Sequence, residues 1–230
     1  MKSGLALQHE LVADSAEMPQ SWNPAAVRVA ARVLFRQPAL AVPHLEVRDV
    51  GCLDFAALRA AGCEAVVFDK DNTLTAPYAA EVHPRAAAAV QRCVDAFGAS
   101  RTAVLSNSAG TPDDPGYRQA DALERSLGLP VLRRREKKPR GFESVRAHFG
   151  CDPAALVVIG DRYLTDVVFG NLHGTLTVRT QQLTTVGDNR VARTMGILER
   201  WLLAVLRWRG VRAPPHRLLR SADRFVVDPE

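Results

Sequence analysis

The chain has 230 residues, 47% of them hydrophobic, and its 30 Lys+Arg against 25 Asp+Glu give a formal net charge of +5. That length suits one α/β domain with a proper core and some added elements; no window is apolar enough to span a membrane, and no apolar run follows Lys2 as a secretory signal requires. The octet Arg133-Arg134-Arg135-Glu136-Lys137-Lys138-Pro139-Arg140 carries the whole basic excess, which speaks for one anionic ligand or surface and against a protein that coats nucleic acid.

Cys52, Cys63, Cys93 and Cys151 form no Cys-x-x-Cys pair and have no His close by in sequence, so a reduced compartment fits and zinc does not. None has an Arg six positions later, which argues against a cysteine-nucleophile phosphatase. The first twenty residues hold Glu10, Asp14 and Glu17 and no Arg, unlike an organellar presequence, and targeting stays open.

In chain order, residues 1–22 read as a loose lead-in. Asn23-Pro24 starts a helix that runs to Gln37, with Arg28, Arg32 and Arg36 recurring along one side of an apolar stripe. Such a helix packs on the domain with a solvated Arg face or lies on an anionic membrane. Leu40 to Val47 reads as irregular chain, and a short helix over Asp54 to Ala61 completes a connector that ends at residue 62. The core is expected over 63–187. Its first strand, Val66-Val67-Phe68, ends in Asp69-Lys70-Asp71-Asn72-Thr73. Side chains alternate along an extended chain, so Asp69 and Asp71 can point the same way, and two carboxylates this close call for a cation. A helix from His83-Pro84 to Gly98 leads to a strand over Arg101 to Leu105, which stops at Ser106-Asn107-Ser108-Ala109-Gly110, groups suited to phosphate oxygens. A helix over 117–127, a short strand over Leu129 to Leu132 and the basic octet follow. After a helix from Phe142 to Phe149, the strand Ala155 to Ile159 delivers Gly160-Asp161-Arg162-Tyr163-Leu164-Thr165-Asp166, and Leu176 to Arg179 is a further strand. From 188 to 230 come a long helix, Asp188 to Arg209, and a basic tail. On the helix Val191, Met195, Leu198, Leu202, Val205 and Leu206 share one side with Trp201 and Trp208 at its edge, a pattern of core packing, partner contact or a membrane interface.

Alternation of strand and helix implies a parallel sheet with helices on both faces, and ligands of such sheets sit beyond the strand C-termini, where all four polar clusters fall. Taken singly, each cluster also reads as an ordinary turn, a helix cap or a solvated basic run. The ordered set Asp-x-Asp-x-Thr, Ser-Asn, Lys-Pro and Gly-Asp-x-x-x-x-Asp resembles the haloacid dehalogenase superfamily of phosphatases. That resemblance implies Asp69 as nucleophile, Asp71 as acid/base, Lys138 as the charge-neutralising lysine, and Ser106 and Asn107 at the phosphoryl oxygens. It also implies Mg²⁺ held by Asp69, Asp71 through its backbone carbonyl, Asp161 and Asp166. Lys137, Arg133 and Arg134 are counted as further phosphate-binding residues.

Within the superfamily, Phe68 to Tyr78, Ser106 to Gly110, Val131-Leu132-Arg133 before Lys137-Lys138-Pro139, and Gly160 to Asp166 with Gly170-Asn171 are similar to the mitochondrial phosphatidylglycerophosphate phosphatases, with the likeness running from about Asn23 to Arg209. This implies hydrolysis of phosphatidylglycerophosphate to phosphatidylglycerol, a step toward cardiolipin, on the matrix face of the mitochondrial inner membrane, or at a plastid or bacterial membrane. One departure stands out: His is expected where this chain has Arg134, so no role for a titrating imidazole transfers. The motif spacings leave no room for a large cap domain, which suits a lipid headgroup. A soluble phosphomonoester, a phosphoprotein, or a scaffold without activity are the alternatives; a homo-oligomer through the terminal helices is possible, and nucleic acid is not expected as a partner.

Overall fold

The computed structural model describes residues 36–77, 79, 81–184, 190–219 and 223–227. Five parallel strands form one sheet: β1 (Leu45–Val47), β2 (Ala65–Phe68), β3 (Thr102–Val104), β4 (Leu156–Gly160) and β5 (Leu176–Thr180), in the spatial order β1-β5-β4-β2-β3. The helices are α1 (Phe55–Ala60), α2 (Pro84–Phe97), α3 (Arg118–Leu127), α4 (Glu143–Phe149), α5 (Val168–Leu172) and α6 (Arg190–Trp208).

β2 is central, and side-chain alternation sends its residues into two cores. Val66 and Phe68 join Val157, Ile159, Leu58, Cys93 and Phe97 on one face. Ala65 and Val67 join Leu156, Val158, Val145, Phe149 and Phe169 on the other. A strand buried on both faces reads as a continuous apolar run, which is why Val66-Val67-Phe68 shows no polar alternation. Each large side chain so buried contributes roughly 1.5–3 kcal/mol. α2 begins where expected: the His83 side chain accepts from Arg85 N, Pro84 holds the first helical position, and Gly98 ends the helix at φ 85°, a conformation that costs glycine little.

Three expectations need correction. Leu45–Val47, read as irregular chain, pairs in parallel with Val178–Thr180 as an edge strand. Leu129 to Leu132, read as a strand, touches the sheet through a single bridge, Val104 to Val131, too brief to count as one. On α6, Leu202 and Leu206 of the expected side pack inward together with Glu199 and Leu203, whereas Leu198 turns outward beside Trp201; the side chains of Val191 and Met195 lie outside the described residues. The reason is that α6 packs on Ala41, Val42, Tyr163, Val167 and Val168, a small third core, rather than on the sheet itself. The Arg-bearing helix expected from Asn23 to Gln37 lies, but for Arg36 and Gln37, outside the described residues.

The basic tail returns to the domain. Phe225 is fully buried in the main core, Asp54 N donates to its carbonyl (3.0 Å), and Leu53 and Val226 form an antiparallel bridge. A second tether is His44. Its Nδ1 accepts from Thr177 N (3.1 Å), so Nε2 carries the proton and donates to Pro214 O (2.9 Å). Burial and the neighbouring His216 charge bring His44 down to about 4, with the Pro214 bond opposing the fall. In the unfolded chain the imidazole returns to about 6.5 and takes up the proton first. The stability it confers is therefore complete above pH 6.5 and is lost as pH falls to 4, by up to about 3 kcal/mol. We expect His44→Gln to flatten the melting temperature between pH 7 and pH 4.5 relative to the parent; parallel profiles would remove His44 from the acid response.

Candidate active site

β2 stops because Asp69 to Thr75 close a tight loop. Asp69 N still pairs with Ile159 O (2.7 Å), but Leu74 N and Thr75 N then turn back onto Lys70 O (2.9 and 3.1 Å). Asn72 takes the left-handed conformation this turn needs (φ 61°), which Asn tolerates better than most residues. Its side-chain oxygen accepts from Thr184 N (3.2 Å), fastening the loop to the chain beyond β5. Asp69 is thereby held at the strand tip with 12% of its side chain exposed, while Lys138 and Asp166 behind it are each only 2% exposed. The partly exposed carboxylate is the one a ligand can reach.

Lys138 Nζ lies 2.5 Å from Asp69 Oδ1 and 2.5 Å from Asp166 Oδ1. Asp69, Asp161 and Asp166 each bring a carboxylate oxygen within 4.8 Å of the other two. Burial, reinforced by Asp166 and Asp71 and opposed by Lys138, pushes Asp69 up to about 7. Burial, Asp69 and Asp166 likewise lift Asp161 well above the ordinary carboxylate range. Burial pulls the Lys138 ammonium down, yet Asp166 and Asp69 outweigh it and hold the group above the usual lysine value. Three carboxylates facing one ammonium leave negative charge in excess, the condition under which a cation binds.

The donor groups fit a metal ion. Asp166 Oδ1 is buried and, although close to the ammonium, accepts no well-aligned hydrogen bond, so it keeps lone pairs to offer. Its Oδ2 is fixed by Arg162 N (3.1 Å), and Asp161 Oδ2 accepts from Gln182 Nε2 (3.3 Å). Gly160 leaves the space Asp166 occupies, since a Cβ there would stand 2.5 Å from Asp166 Oδ2. The oxygen-only donor set suits a hard divalent ion.

The loop after β3 comes to the same end of the sheet. Ser106 Oγ accepts from Ser108 N (3.1 Å) and lies 3.0 Å from Ser108 Oγ, while Asn107 Oδ1 accepts from Lys138 N (2.8 Å). Asn107 thus positions the lysine loop. Asp114, not singled out from the sequence, organises this loop by accepting from Gly110 N, Gln119 N and Ala120 N (3.0, 2.9 and 2.9 Å).

The basic octet divides. Arg133, expected at phosphate, turns away to α3, where it pairs with Glu124 and, at 2.6 Å, with Asp121. Arg134, also expected at phosphate, is buried and donates to Ser106 O (2.7 Å), Asn107 Oδ1 (2.7 Å), Glu136 O (2.6 Å) and Arg140 O (3.2 Å). A planar fork of five donors can bridge four oxygens and an imidazole cannot, which accounts for Arg at a position expected to hold His. Burial lowers it to about 10, against the pull of Asp69 and Asp166, so it stays charged at neutral pH and reaches the site through its field. Lys137 pairs with Asp113 of the loop after β3. Asp71, one third exposed, pairs with the buried Lys70 at 2.7 Å. Lys70 lies inside the motif, where the sequence gives it no role of its own, and the pairing with Asp71 supplies one.

Carboxylates, a lysine and a hydroxyl loop gathered beyond the C-terminal edge of a parallel sheet, with no cap domain among the described residues, define a haloacid-dehalogenase-like Rossmannoid protein. The family described as mitochondrial PGP phosphatase matches residues 25–184, and the chain belongs to it. It is 46% identical over 210 residues to phosphatidylglycerophosphate phosphatase 1, chloroplastic, of Chlamydomonas reinhardtii, covering 89% of this chain and 77% of the relative. A chloroplastic/mitochondrial phosphatidylglycerophosphate phosphatase 1 of Arabidopsis thaliana is 39% identical, over 93% of this chain and 62% of the relative. A mitochondrial phosphatidylglycerophosphatase of Saccharomyces cerevisiae is 30% identical over 56% of this chain and 73% of the relative.

Proposed function

We propose that the protein is a phosphatidylglycerophosphate phosphatase, releasing phosphate and phosphatidylglycerol by way of an aspartyl-phosphate on Asp69. The observation that carries the chemistry is a partly exposed Asp69 held 2.5 Å from a buried ammonium, beside two further buried carboxylates. Family membership supports the substrate.

In this reading Asp69 attacks the terminal phosphoryl group. A carboxylate approaches a phosphate dianion only when both are screened, and Lys138 supplies that screening from within the protein. Asp71 protonates the departing glycerol oxygen and then takes a proton from the water that cleaves the acyl-phosphate. It is one third exposed and pairs with Lys70 at 2.7 Å. Ser106 and the backbone N–H groups after it accommodate phosphoryl oxygens as charge shifts between them. Asp69, Asp161, Asp166 and the Asp71 carbonyl would hold Mg²⁺, which when bound supplies positive charge to the transferring group. The test is phosphate release from the lipid in mixed micelles, with and without Mg²⁺, beside a water-soluble aryl phosphate. Strong Mg²⁺-dependent preference for the lipid is expected; equal rates would leave phosphatase chemistry and return the substrate to a soluble phosphomonoester.

We further propose peripheral attachment to an anionic membrane, at the mitochondrial inner membrane on the matrix side or at its plastid counterpart. No helix among the described residues is long and apolar enough to cross a membrane. The outer side of α6 carries Ile197, Leu198, Trp201 (66% exposed) and Trp208 (87% exposed), with Arg200 and Arg209 alongside. Indole rings favour the headgroup level, and each Arg near an anionic surface contributes about 1 kcal/mol. We expect the protein to float with vesicles containing anionic lipid, and Trp201→Ser with Trp208→Ser to reduce that fraction at least about threefold. Flotation that the double variant leaves unchanged would detach α6 from the membrane.

A further inference from the structure

Glu199 is the lone acid between Arg190 and Arg209, and it faces inward, 2% exposed, on the side of the helix where Leu203 and Leu206 pack. A buried charge must be compensated, and the partners that compensate it lie in the loop carrying two of the three clustered carboxylates. Arg162, directly after Asp161, donates Nη2 to Glu199 Oε1 (3.0 Å) and Nε to Oε2 (3.2 Å). Tyr163 N donates to Oε2 (3.2 Å).

The local backbone explains why an acceptor is needed. After Arg162 the chain makes one wide helical turn, Tyr163–Val167, before α5. The first N–H groups of any helix lack partners within it, and a side chain just before the turn usually accepts from them. Arg162 stands at that position and has only donors. Glu199, reaching over from α6, accepts in its place, and the same carboxylate anchors Arg162, whose own N–H holds Asp166 Oδ2. α6 grips the turn a second time through Glu46, which accepts from Tyr163 OH (2.8 Å) and Arg207 Nη2 (2.6 Å).

We propose that Glu199 is a positioning residue for the metal site, acting through Arg162 and Tyr163 N to hold Asp161 and Asp166 in register for a divalent cation. The proposal rests on the reading of those two aspartates as metal residues. It assigns Glu199 no direct contact with the ion, and its negative charge is spent on Arg162.

The test is calorimetric titration of Mg²⁺ into the full chain, without substrate, for the parent, Asp166→Asn and Glu199→Gln, with folding followed by circular dichroism. Gln keeps the size and one acceptor oxygen but cannot bind Arg162 as a charged pair and Tyr163 N together. We expect Asp166→Asn to abolish binding and Glu199→Gln to weaken it about 10-fold or more. At saturating Mg²⁺ the phosphatase kcat and substrate KM of Glu199→Gln should then return to within about twofold of the parent, a recovery that general loosening of the fold would not allow. Parent-like Mg²⁺ affinity in folded Glu199→Gln overturns the proposal. Equal binding by the parent and Asp166→Asn instead overturns the metal reading beneath it. Should Glu199→Gln fail to fold, Glu199→Asp keeps the charge and withdraws the acceptor by one methylene; an unweakened affinity there also overturns it.

Discussion

Asp69→Asn is expected to lower phosphate release by at least about 10,000-fold with the fold intact. The amide is nearly the same size as the carboxylate, so the packing at the tip of β2 survives, and Lys138 keeps Asp166 at 2.5 Å. What is lost, on the proposed mechanism, is the nucleophile: an amide oxygen has neither the charge nor the basicity to attack phosphorus. Lost with it is one of three carboxylates available to a cation. The covalent step can be read directly. Acid quenching of the parent during turnover, followed by borohydride reduction and mass spectrometry, should modify the peptide containing Asp69 and leave that of the variant untouched. Residual turnover within tenfold of the parent, or label on Asp71, would overturn the assignment.

Lys138→Met is expected to cost about 3–5 kcal/mol of stability in the presence of a chelator, and at least about 1,000-fold in activity. The side chain is almost wholly buried between Asp69 and Asp166, so its removal leaves two carboxylates facing each other with Asp161 close behind. Breaking a buried pair from one side strands the other charge, which is why the penalty exceeds the net worth of the pair. For a domain of this size the loss corresponds to a fall in melting temperature of roughly 10 °C. Adding Asp69→Asn to Lys138→Met removes one stranded charge and should return part of that stability while activity stays absent. A single variant that melts with the parent would mean that the ammonium is not what holds the carboxylates together.

Much of this site was legible in order along the chain. Asp69, Asp71, Ser106, Asn107, Asp161 and Asp166 follow strands that their apolar runs announce, Lys138 follows a segment joined to the sheet by one bridge, and the C-terminal ends of parallel strands share one edge of a sheet. Residue type and periodicity are local properties, so they suffice to say which chemistries arrive at that edge. The family likeness added a substrate, which periodicity does not contain.

Partners were not legible, because they depend on which loops the crossovers bring together. The octet around Lys138 reads as one basic patch, yet Arg133 turns to Asp121 and Glu124 on α3, Arg134 sinks among backbone oxygens, and only Lys138 enters the carboxylate cluster. Leu45–Val47 looks irregular because three residues beside Pro43 carry no period, and only pairing with β5 makes them a strand. Glu199, a single acid among Arg and Leu, gains its meaning 37 residues from Arg162, through a helix laid across the turn that carries Asp166. The sequence by itself determined four of the five described strands, the reactive groups at their ends and the family to which they belong. Tertiary structure alone decided which charges meet, since an ion pair requires two distant segments at hydrogen-bonding distance, and no local pattern encodes that distance.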